Sequence, residues 1–288
     1  MSRIAYVNGQ YLPLADASVS VEDRGFQFAD GVYEVIAIDA GHFVDEIPHL
    51  DRWDRSIAEL KLPPAMARAA MRRIMAEVVR RNRVRKGILY MQLTRGQARR
   101  DAPFPAKARP SLVMTCRRQS LPSDTQTQTG TAVLSVPEIR WSRCDVKSVA
   151  LLPNVLAKQR AREAGAYEAW FTRESDGVVT EGGSTNAFIV DADGRLVTHP
   201  ATNAILGGIT RDRVICLARA TGITVEERPF TLTEAKAARE AFMTSTTTGV
   251  LPIVRIDDSA VANGKPGSIA LTLLDHYRTF SATGMMPK

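Results

Sequence analysis

The sequence of 288 residues has no apolar run that approaches the roughly 18 residues of a membrane-spanning helix. Its first residues, Met-Ser-Arg-Ile-Ala-Tyr, lack the apolar segment of a secretory signal peptide. We therefore expect no membrane partner and no secretory signal.

Cysteine is also scarce. The three cysteines, Cys116, Cys144 and Cys216, lie far apart in the chain and are odd in number. This spacing matches neither a disulfide framework nor a metal-binding motif. We expect a protein of the reducing cytoplasm that holds no metal.

Apolar residues make up 44% of the chain and charged residues 24%, which is typical of a globular protein with a real core. The formal net charge of +7 is also compatible with nucleic-acid binding. Much of the excess lies in residues 68–85, where arginines alternate with apolar residues as on an amphipathic helix. A solvated helix face explains that pattern better than a nucleic-acid site, so we expect no nucleic-acid partner.

The order of the predicted elements suggests two domains. Residues 4–14 predict a hairpin around Asn8-Gly9, and the alternation from Val32 to Ile38 predicts a strand. A helix is predicted over residues 48–61, and strands over 87–94 and 111–116. The polar segment 121–130 lacks periodicity, so we interpret it as a linker. It would separate a small α/β domain, residues 1–120, from a larger one, residues 131–288, in an α/β (α+β) fold.

The first domain contains two residues and one loop that are candidates for a ligand-binding site. Tyr33 begins a predicted strand, where its hydroxyl faces either a cavity or the core. Arg52 lies at the border of a helix's apolar stripe, so its guanidinium can reach a cleft. Pairing with Asp51 or Asp54 at the surface is the alternative. The loop 95–105 follows a strand and carries three arginines, which suits it to binding carboxylates.

Lys147 is the candidate nucleophile of the second half. It precedes an apolar run, residues 149–152, and a helix predicted between Pro153 and Gly165. Desolvation favours the neutral amine of a lysine, and a neutral amine attacks carbonyl carbons. An ordinary solvated lysine is the alternative.

Residues 178–190, Val-Val-Thr-Glu-Gly-Gly-Ser-Thr-Asn-Ala-Phe-Ile-Val, predict two short strands joined by a tight polar turn. Glu181 would lie at the mouth of that turn, among small hydrogen-bonding side chains. An ordinary hairpin with a solvated glutamate explains this stretch equally well by itself.

Two further turns are suited to anions. The glycine-rich turn at residues 204–210 leads into a helix for which Thr210 is the expected N-cap, with Asp212 in its first turn and Gly222 after its end. Its backbone N–H groups and the helix dipole suit a phosphate, although a capped helix without a ligand is the alternative. The hydroxyl-rich segment 244–249 follows a predicted strand and could bind phosphate oxygens too.

A lysine amine, a carboxylate in a turn, a phosphate-binding helix start and a border arginine are together what pyridoxal 5′-phosphate requires. The sequence resembles the fold-type IV pyridoxal-phosphate enzymes. The resemblance covers about residues 6–252 and rests on separated motifs that occur in the family's order. They are Phe28-Ala-Asp-Gly-Val-Tyr-Glu-Val35, His49-Leu-Asp-Arg52, Lys147, Thr180-Glu-Gly-Gly-Ser-Thr-Asn-Ala-Phe188, Gly207-Gly-Ile-Thr-Arg211 and Ser245-Thr-Thr247.

This resemblance implies the roles of individual residues. Lys147 would be the Schiff-base lysine and the base that moves the proton, and Glu181 would pair with the pyridine nitrogen. The other cofactor-binding residues would be Arg52, Leu206, Ile209, Thr210 and Thr246. The family's enzymes are homodimers of two-domain subunits, with the cofactor in the interdomain cleft and a loop borrowed from the partner subunit.

Within the family, residues 30–36, Asp-Gly-Val-Tyr-Glu-Val-Ile, look most like D-amino-acid aminotransferases. These carry an Arg-x-His motif that binds the substrate carboxylate, whereas this chain has Arg100, Asp101 and Ala102. Arg100 matches, the histidine is missing, and Arg99 or Arg95 is a candidate substitute. Tyr33, Arg100 and Thr247 are the expected substrate contacts.

The expected function is therefore transamination between a D-amino acid, such as D-alanine, and a 2-oxo acid, such as 2-oxoglutarate, in two half-reactions. The alternatives within the fold are a branched-chain L-aminotransferase, an (R)-selective amine aminotransferase and aminodeoxychorismate lyase. The alternative from another class is a basic nucleic-acid-binding protein.

Overall fold

The computed structural model describes residues 3–287, which divide into two compact units. Unit 1 holds the described residues up to Ser120 together with Val146–Ala150. Unit 2 holds Leu121–Asp145 and the described residues from Leu151 onward. The division departs from the expected domains in two places: residues 121–130 are part of unit 2 and include a short helix, and Lys147 lies in unit 1.

The helices described are α1 (Arg24–Phe28), α2 (Glu46–Glu59), α3 (Arg68–Asn82), α4 (Asp124–Thr129), α5 (Leu152–Glu163), α6 (Ile209–Ala220), α7 (Leu232–Ala237) and α8 (Ser268–Thr283). Among residues 3–287, none is both long and apolar enough to cross a bilayer.

The strands of unit 1 are β1 (Ile4–Val7), β2 (Gln10–Pro13), β3 (Gly31–Asp39), β4 (His42–Phe43), β5 (Gly87–Thr94) and β6 (Ser111–Arg118). Those of unit 2 are β7 (Thr131–Pro137), β8 (Glu168–Thr172), β9 (Val178–Gly182), β10 (Asn186–Val190), β11 (Leu196–Thr198), β12 (Val225–Glu227), β13 (Phe230–Thr231), β14 (Glu240–Ser245), β15 (Gly249–Ile256) and β16 (Ser259–Ala260).

Unit 1 is built on an antiparallel sheet in the order β2-β1-β6-β5-β3-β4. The predicted hairpin is confirmed, because Val7 pairs with Gln10 across a turn in which Asn8 and Gly9 both have positive φ. The alternation predicted for β3 is also confirmed, with Val32 and its same-face neighbours buried. Helices α2 and α3 cover that face and complete the core.

Unit 2 contains a larger sheet in the order β12-β11-β10-β14-β15-β7-β8-β9-β13, with β16 paired to β15. The hairpin predicted for residues 178–190 is not formed. Strand β9 pairs with β8 and β13, whereas β10 pairs with β11 and β14. Because every residue of both strands is buried, each needs neighbours on both sides, which a two-stranded hairpin does not provide.

The Arg-rich segment forms α3, and four of its exposed arginines pair with acidic side chains. Arg68 binds Asp51 and Asp54, while Arg72 binds Glu46. Arg80 and Arg81 both bind Glu77 within the helix. These arginines form the solvated helix face that the amphipathic pattern predicts.

Candidate active site

Lys147 lies in unit 1 because its backbone is bound there. Its carbonyl oxygen accepts a hydrogen bond from the Tyr33 N–H at 3.0 Å, and its own N–H donates to Ser56 Oγ at 3.3 Å. The half-buried side chain places Nζ 4.3 Å from the centroid of the Tyr33 ring, a cation–π contact. The expected nucleophile and the expected substrate-side tyrosine are thus in contact.

Arg52 is buried rather than paired at the surface. Its Nε donates to Glu34 Oε2 at 3.0 Å, and its Nη2 donates to Glu34 Oε1 at 2.6 Å. His49 Nδ1 lies 3.0 Å from the same Oε1. The surface alternative is excluded, since Asp51 and Asp54 bind Arg68 instead.

Glu34 is a site residue that the sequence reasoning missed. Burial by itself raises the pKa of its carboxyl, but the charges of Arg52 and His49 outweigh this and hold that pKa well below its usual range. Burial lowers the pKa of His49, against the opposing effect of Glu34. The sequence did contain a signal for Glu34, since it is the one carboxylate on the otherwise apolar face of β3. A fully buried charge requires a partner, so this position predicts a nearby cation.

Arg100 lies in the loop between β5 and β6 and is exposed, with its guanidinium carbon 4.8 Å from the centroid of the Phe28 ring. Arg95 is buried at the start of this loop. Its guanidinium binds the Asp30 carboxylate and the carbonyl oxygens of Leu60 and Lys61. Those bonds occupy Arg95 and argue against its use as a substitute for the missing histidine.

In unit 2, Glu181 lies on β9 and is buried. Its two carboxylate oxygens each accept a hydrogen bond from the Leu206 N–H at 3.1 Å, and Asn186 Nδ2 donates to Oε2 at 3.1 Å. Asn186 also donates to the Leu206 carbonyl oxygen at 2.9 Å. Glu181 and Leu206, both expected cofactor contacts, are therefore held together by one asparagine.

Arg140 is the second missed residue. Its Nη1 donates to Glu181 Oε1 at 2.5 Å, and its Nη2 donates to Glu138 Oε2 at 2.6 Å. Burial by itself lowers the pKa of Arg140, but these two carboxylates raise it above its usual value, so the guanidinium stays charged beside Glu181. No local pattern marked Arg140, because Glu181 lies 41 positions away in the chain.

The helix expected after the glycine-rich turn begins one residue before Thr210. Gly208 is the N-cap of α6 and has no side chain with which to cap it, so Thr210 lies within the first turn. A β-carbon at Gly208 would stand 2.0 Å from Asn186 Oδ1, which explains why this position is glycine. Ile209 and Thr210, both expected phosphate contacts, thus form an uncapped helix start suited to an anion.

The hydroxyl-rich turn joins β14 to β15 as predicted. Ser245 Oγ accepts hydrogen bonds from the backbone N–H groups of Thr247 and Thr248 and lies within hydrogen-bond distance of both hydroxyls. Thr246 and Thr247 are half-buried in this turn. Because Asn186 pairs with Thr244, the turn lies at the same sheet edge as Asn186 and its partner Glu181.

Comparison with known proteins identifies the family. Residues 31–256 match the model of the amino-transferase class IV family. The chain belongs to the class IV aminotransferases. It is 39% identical to the D-alanine aminotransferase of Bacillus licheniformis over 262 residues, 91% of both chains. It is 35% identical to that of Staphylococcus haemolyticus over 276 residues, 96% of both.

Solved structures of the family have the same fold. The branched-chain aminotransferase of Thermoproteus uzoniensis with norvaline superposes with a TM-score of 0.85 at 26% identity, covering 98% of this chain and 95% of that one. The Thermobaculum terrenum branched-chain enzyme in its pyridoxal-phosphate form gives a TM-score of 0.83 at 25% identity, covering 97% and 94%. The predicted α/β fold and the fold-type IV resemblance are confirmed.

Class IV aminotransferases use pyridoxal 5′-phosphate, and the residues of this aminotransferase fit that group. The uncapped start of α6 and the Ser245–Thr248 hydroxyls provide donors for a dianionic phosphate. Glu181 would provide a carboxylate for a protonated ring nitrogen. Lys147 would provide the amine. Within residues 3–287, no cluster of three or more side chains has the arrangement of a metal site.

Proposed function

We propose that this aminotransferase transfers the amino group of a D-amino acid, such as D-alanine, to a 2-oxo acid, such as 2-oxoglutarate. The observation that carries the proposal is the 35–39% identity to D-alanine aminotransferases over more than nine-tenths of the chain. Motif residues 30–36 support the same substrate class.

The bound cofactor would supply an electron sink that stabilises negative charge at the substrate Cα. Lys147 would remove the proton from Cα and return it on the cofactor side, and a positioned base of this kind contributes roughly 10²–10⁴-fold to the rate. Glu181 would hold the ring nitrogen protonated. Arg140 and the Leu206 N–H orient its carboxylate for that bond.

The remaining contacts follow from the family motifs. Arg52, Ile209, Thr210 and Thr246 would bind the phosphate, and Leu206 would support the ring. Tyr33, Arg100 and Thr247 would contact the substrate, with Arg100 binding its carboxylate in place of the family's Arg-His pair. The Glu34 carboxylate supports this arrangement by fixing the Arg52 guanidinium in one orientation.

A homodimer in the cytoplasm is part of the proposal. Each unit exposes large apolar side chains, which are typical of subunit interfaces: Val21 and Phe26 in unit 1, and Leu152 and Val155 in unit 2. The three cysteines are unpaired, in keeping with a reducing compartment. Light scattering after size exclusion would give the mass of the assembly, and a mass of one chain would exclude the dimer.

The branched-chain L-aminotransferase is the second candidate, because the branched-chain enzyme structures share the fold with TM-scores of 0.83 and 0.85. Identity to these two enzymes is only 25–26%, below the identity to the D-alanine enzymes. Substrate preference therefore has to be measured directly.

The test is an absorption spectrum of the purified holoenzyme before and after adding D-alanine, L-leucine or (R)-1-phenylethylamine. Loss of the visible cofactor band with D-alanine alone is the expected result. Loss with L-leucine would favour the branched-chain enzyme, and a response to the amine alone would indicate an amine aminotransferase. A protein that never acquires a visible band with added pyridoxal phosphate would overturn the proposal.

A further inference from the structure

Arg24 is a buried arginine that the proposed mechanism does not use. It lies on the one-turn helix α1, which begins after Asp23, and only 3% of it is exposed. Each nitrogen of its guanidinium has a partner within unit 1. Nε donates to Asp30 Oδ2 at 2.8 Å, Nη1 to the Asp101 carbonyl oxygen at 2.5 Å and Nη2 to the Ala102 carbonyl oxygen at 3.0 Å.

Asp30 is a firm anchor for this guanidinium because a second arginine holds it. Arg95 Nε and Nη2 donate to the Asp30 carboxylate at 2.7 and 3.1 Å, and the same guanidinium binds the backbone carbonyls just after α2. Asp30 also precedes β3, the strand that begins with Gly31 and carries Tyr33. Arg24 therefore links the start of β3 to the loop that contains Asp101 and Ala102.

The contacts of that loop differ on the two sides of Arg100: Gln97 and Ala98 bond to Glu22, whereas Asp101 and Ala102 bond to Arg24. The side chains of residues 99–102 are exposed, so its conformation depends on bonds made by its backbone. Arg24 binds the carbonyl oxygens of the two residues that directly follow Arg100. The guanidinium carbons of Arg24 and Arg100 both lie 4.8 Å from the centroid of the Phe28 ring, so one aromatic side chain contacts both arginines.

We propose that Arg24 is a positioning residue for substrate recognition: it holds the loop at Asp101 and Ala102 so that Arg100 is presented to the substrate carboxylate. The inference rests on the proposed function, in which Arg100 binds that carboxylate. The contact at position 102 is made by the backbone carbonyl oxygen of Ala102 and does not depend on its side chain.

The first experiment compares Arg24→Gln and Arg24→Lys with wild type in steady-state assays with D-alanine. Neither glutamine nor lysine can bind Asp30, Asp101 and Ala102 at the same time as Arg24 does. We therefore expect KM for D-alanine to rise roughly tenfold or more, the scale of one charge-assisted hydrogen bond. The kcat at saturation and the visible cofactor band should stay close to wild type. Arg118→Gln, a change at an exposed arginine of β6, is the matched control and should leave KM unchanged.

A double-mutant cycle with Arg100→Ala separates positioning from a general loss of structure. If Arg24 acts through Arg100, the double variant Arg24→Gln/Arg100→Ala will have the KM of Arg100→Ala alone. Multiplying effects, or a wild-type KM in Arg24→Gln, would overturn the proposal. Equal thermal midpoints for Arg24→Lys and wild type would confirm that the fold is intact.

A trypsin digest of the holoenzyme tests the same contact without substrate. Cleavage after Arg99 and Arg100 should be several-fold faster in Arg24→Gln than in wild type, and unchanged in Arg118→Gln. Equal cleavage rates would show that Arg24 does not hold the loop. If wild type fails to respond to D-alanine, the proposed function falls and the substrate role of Arg24 with it, whereas faster cleavage would still establish the structural contact.

Discussion

Unit 1 and unit 2 each contain a buried carboxylate–guanidinium pair, and the roles expected of the two pairs are divided in opposite ways. In unit 1, Arg52 is the expected phosphate ligand and Glu34 orients it. In unit 2, Glu181 is the expected partner of the ring nitrogen and Arg140 orients it. A buried charge is costly without a partner, so each functional group needs a counterion. Arg140 lies outside the family motifs and Glu34 lies within one, but in both cases only the structure shows which charge the residue pairs with.

The largest effect should come from the residue outside both pairs. Lys147→Ala removes the amine that the proposed mechanism requires, so turnover with D-alanine should fall below detection while both buried pairs remain intact. A steady-state assay and far-ultraviolet circular dichroism would check this together. Wild-type turnover in this variant would remove Lys147 from the mechanism.

Glu181→Gln tests the functional member of the unit 2 pair. The amide is close in shape but cannot hold a ring nitrogen protonated, so kcat should fall at least about 100-fold while the cofactor stays bound. Single-turnover kinetics together with the cofactor absorbance would separate these two effects. Loss of the cofactor at unchanged kcat would instead assign Glu181 a purely binding role.

Arg140→Met tests the supporting member of the same pair. It leaves the buried Glu181 carboxylate and the half-buried Glu138 carboxylate without their shared cation, so the free energy of unfolding should fall by about 3–5 kcal/mol. Urea titration would measure the loss. The variant Glu181→Gln/Arg140→Met should recover part of it, because the uncompensated charge is reduced.

Glu34→Gln makes the corresponding change in unit 1 and has a pH signature. The folded-state pKa of Glu34 is lowered, so its contribution to stability is present above its unfolded pKa, about 4.3, and is lost as the pH falls through the folded value. We would measure the free energy of unfolding of wild type and variant from pH 3 to 7. The difference between the two proteins should be largest near pH 7 and should shrink as the pH falls. A constant difference across that range would contradict this assignment.

The smallest effect on stability is expected from removing an ion pair that is exposed to solvent. Arg80 binds Glu77 one turn away on α3, and solvent screens this contact. Arg80→Ala should leave the urea midpoint of unfolding within experimental error. A loss as large as that of Arg140→Met would mean that the Arg-rich face contributes to folding and is more than a solvated surface.

Local patterns predicted much of the secondary structure because they depend on neighbouring residues. The Asn8-Gly9 turn, the alternation in β3 and the helix that starts near Pro153 are all local signals, and the structure has each of them. The N-cap of α6 was misplaced because Thr210 is a good capping residue and Gly208 carries no side chain to indicate a cap. Packing against Asn186 decided that position.

The pairing of β9 with β8, and of β10 with β14, could not be predicted from the turn between them. A short polar turn favours a hairpin locally, but burial of both strands on all sides selects other neighbours. Similarly, Lys147 follows the predicted linker but belongs to unit 1, because its backbone bonds to Tyr33 and Ser56. Those bonds join residues that are far apart in the chain.

The sequence by itself determined the class of enzyme and indicated candidates for its chemically active groups, since a lysine, a carboxylate and a phosphate-binding turn are recognisable as motifs of the family. Only the tertiary structure decided which residues support them. Glu34, Arg140 and Arg24 are identified by partners 18, 41 and 77 positions away. Such contacts arise when buried charged groups find counterions or backbone acceptors during folding, and neither the composition nor the periodicity of the sequence specifies which ones.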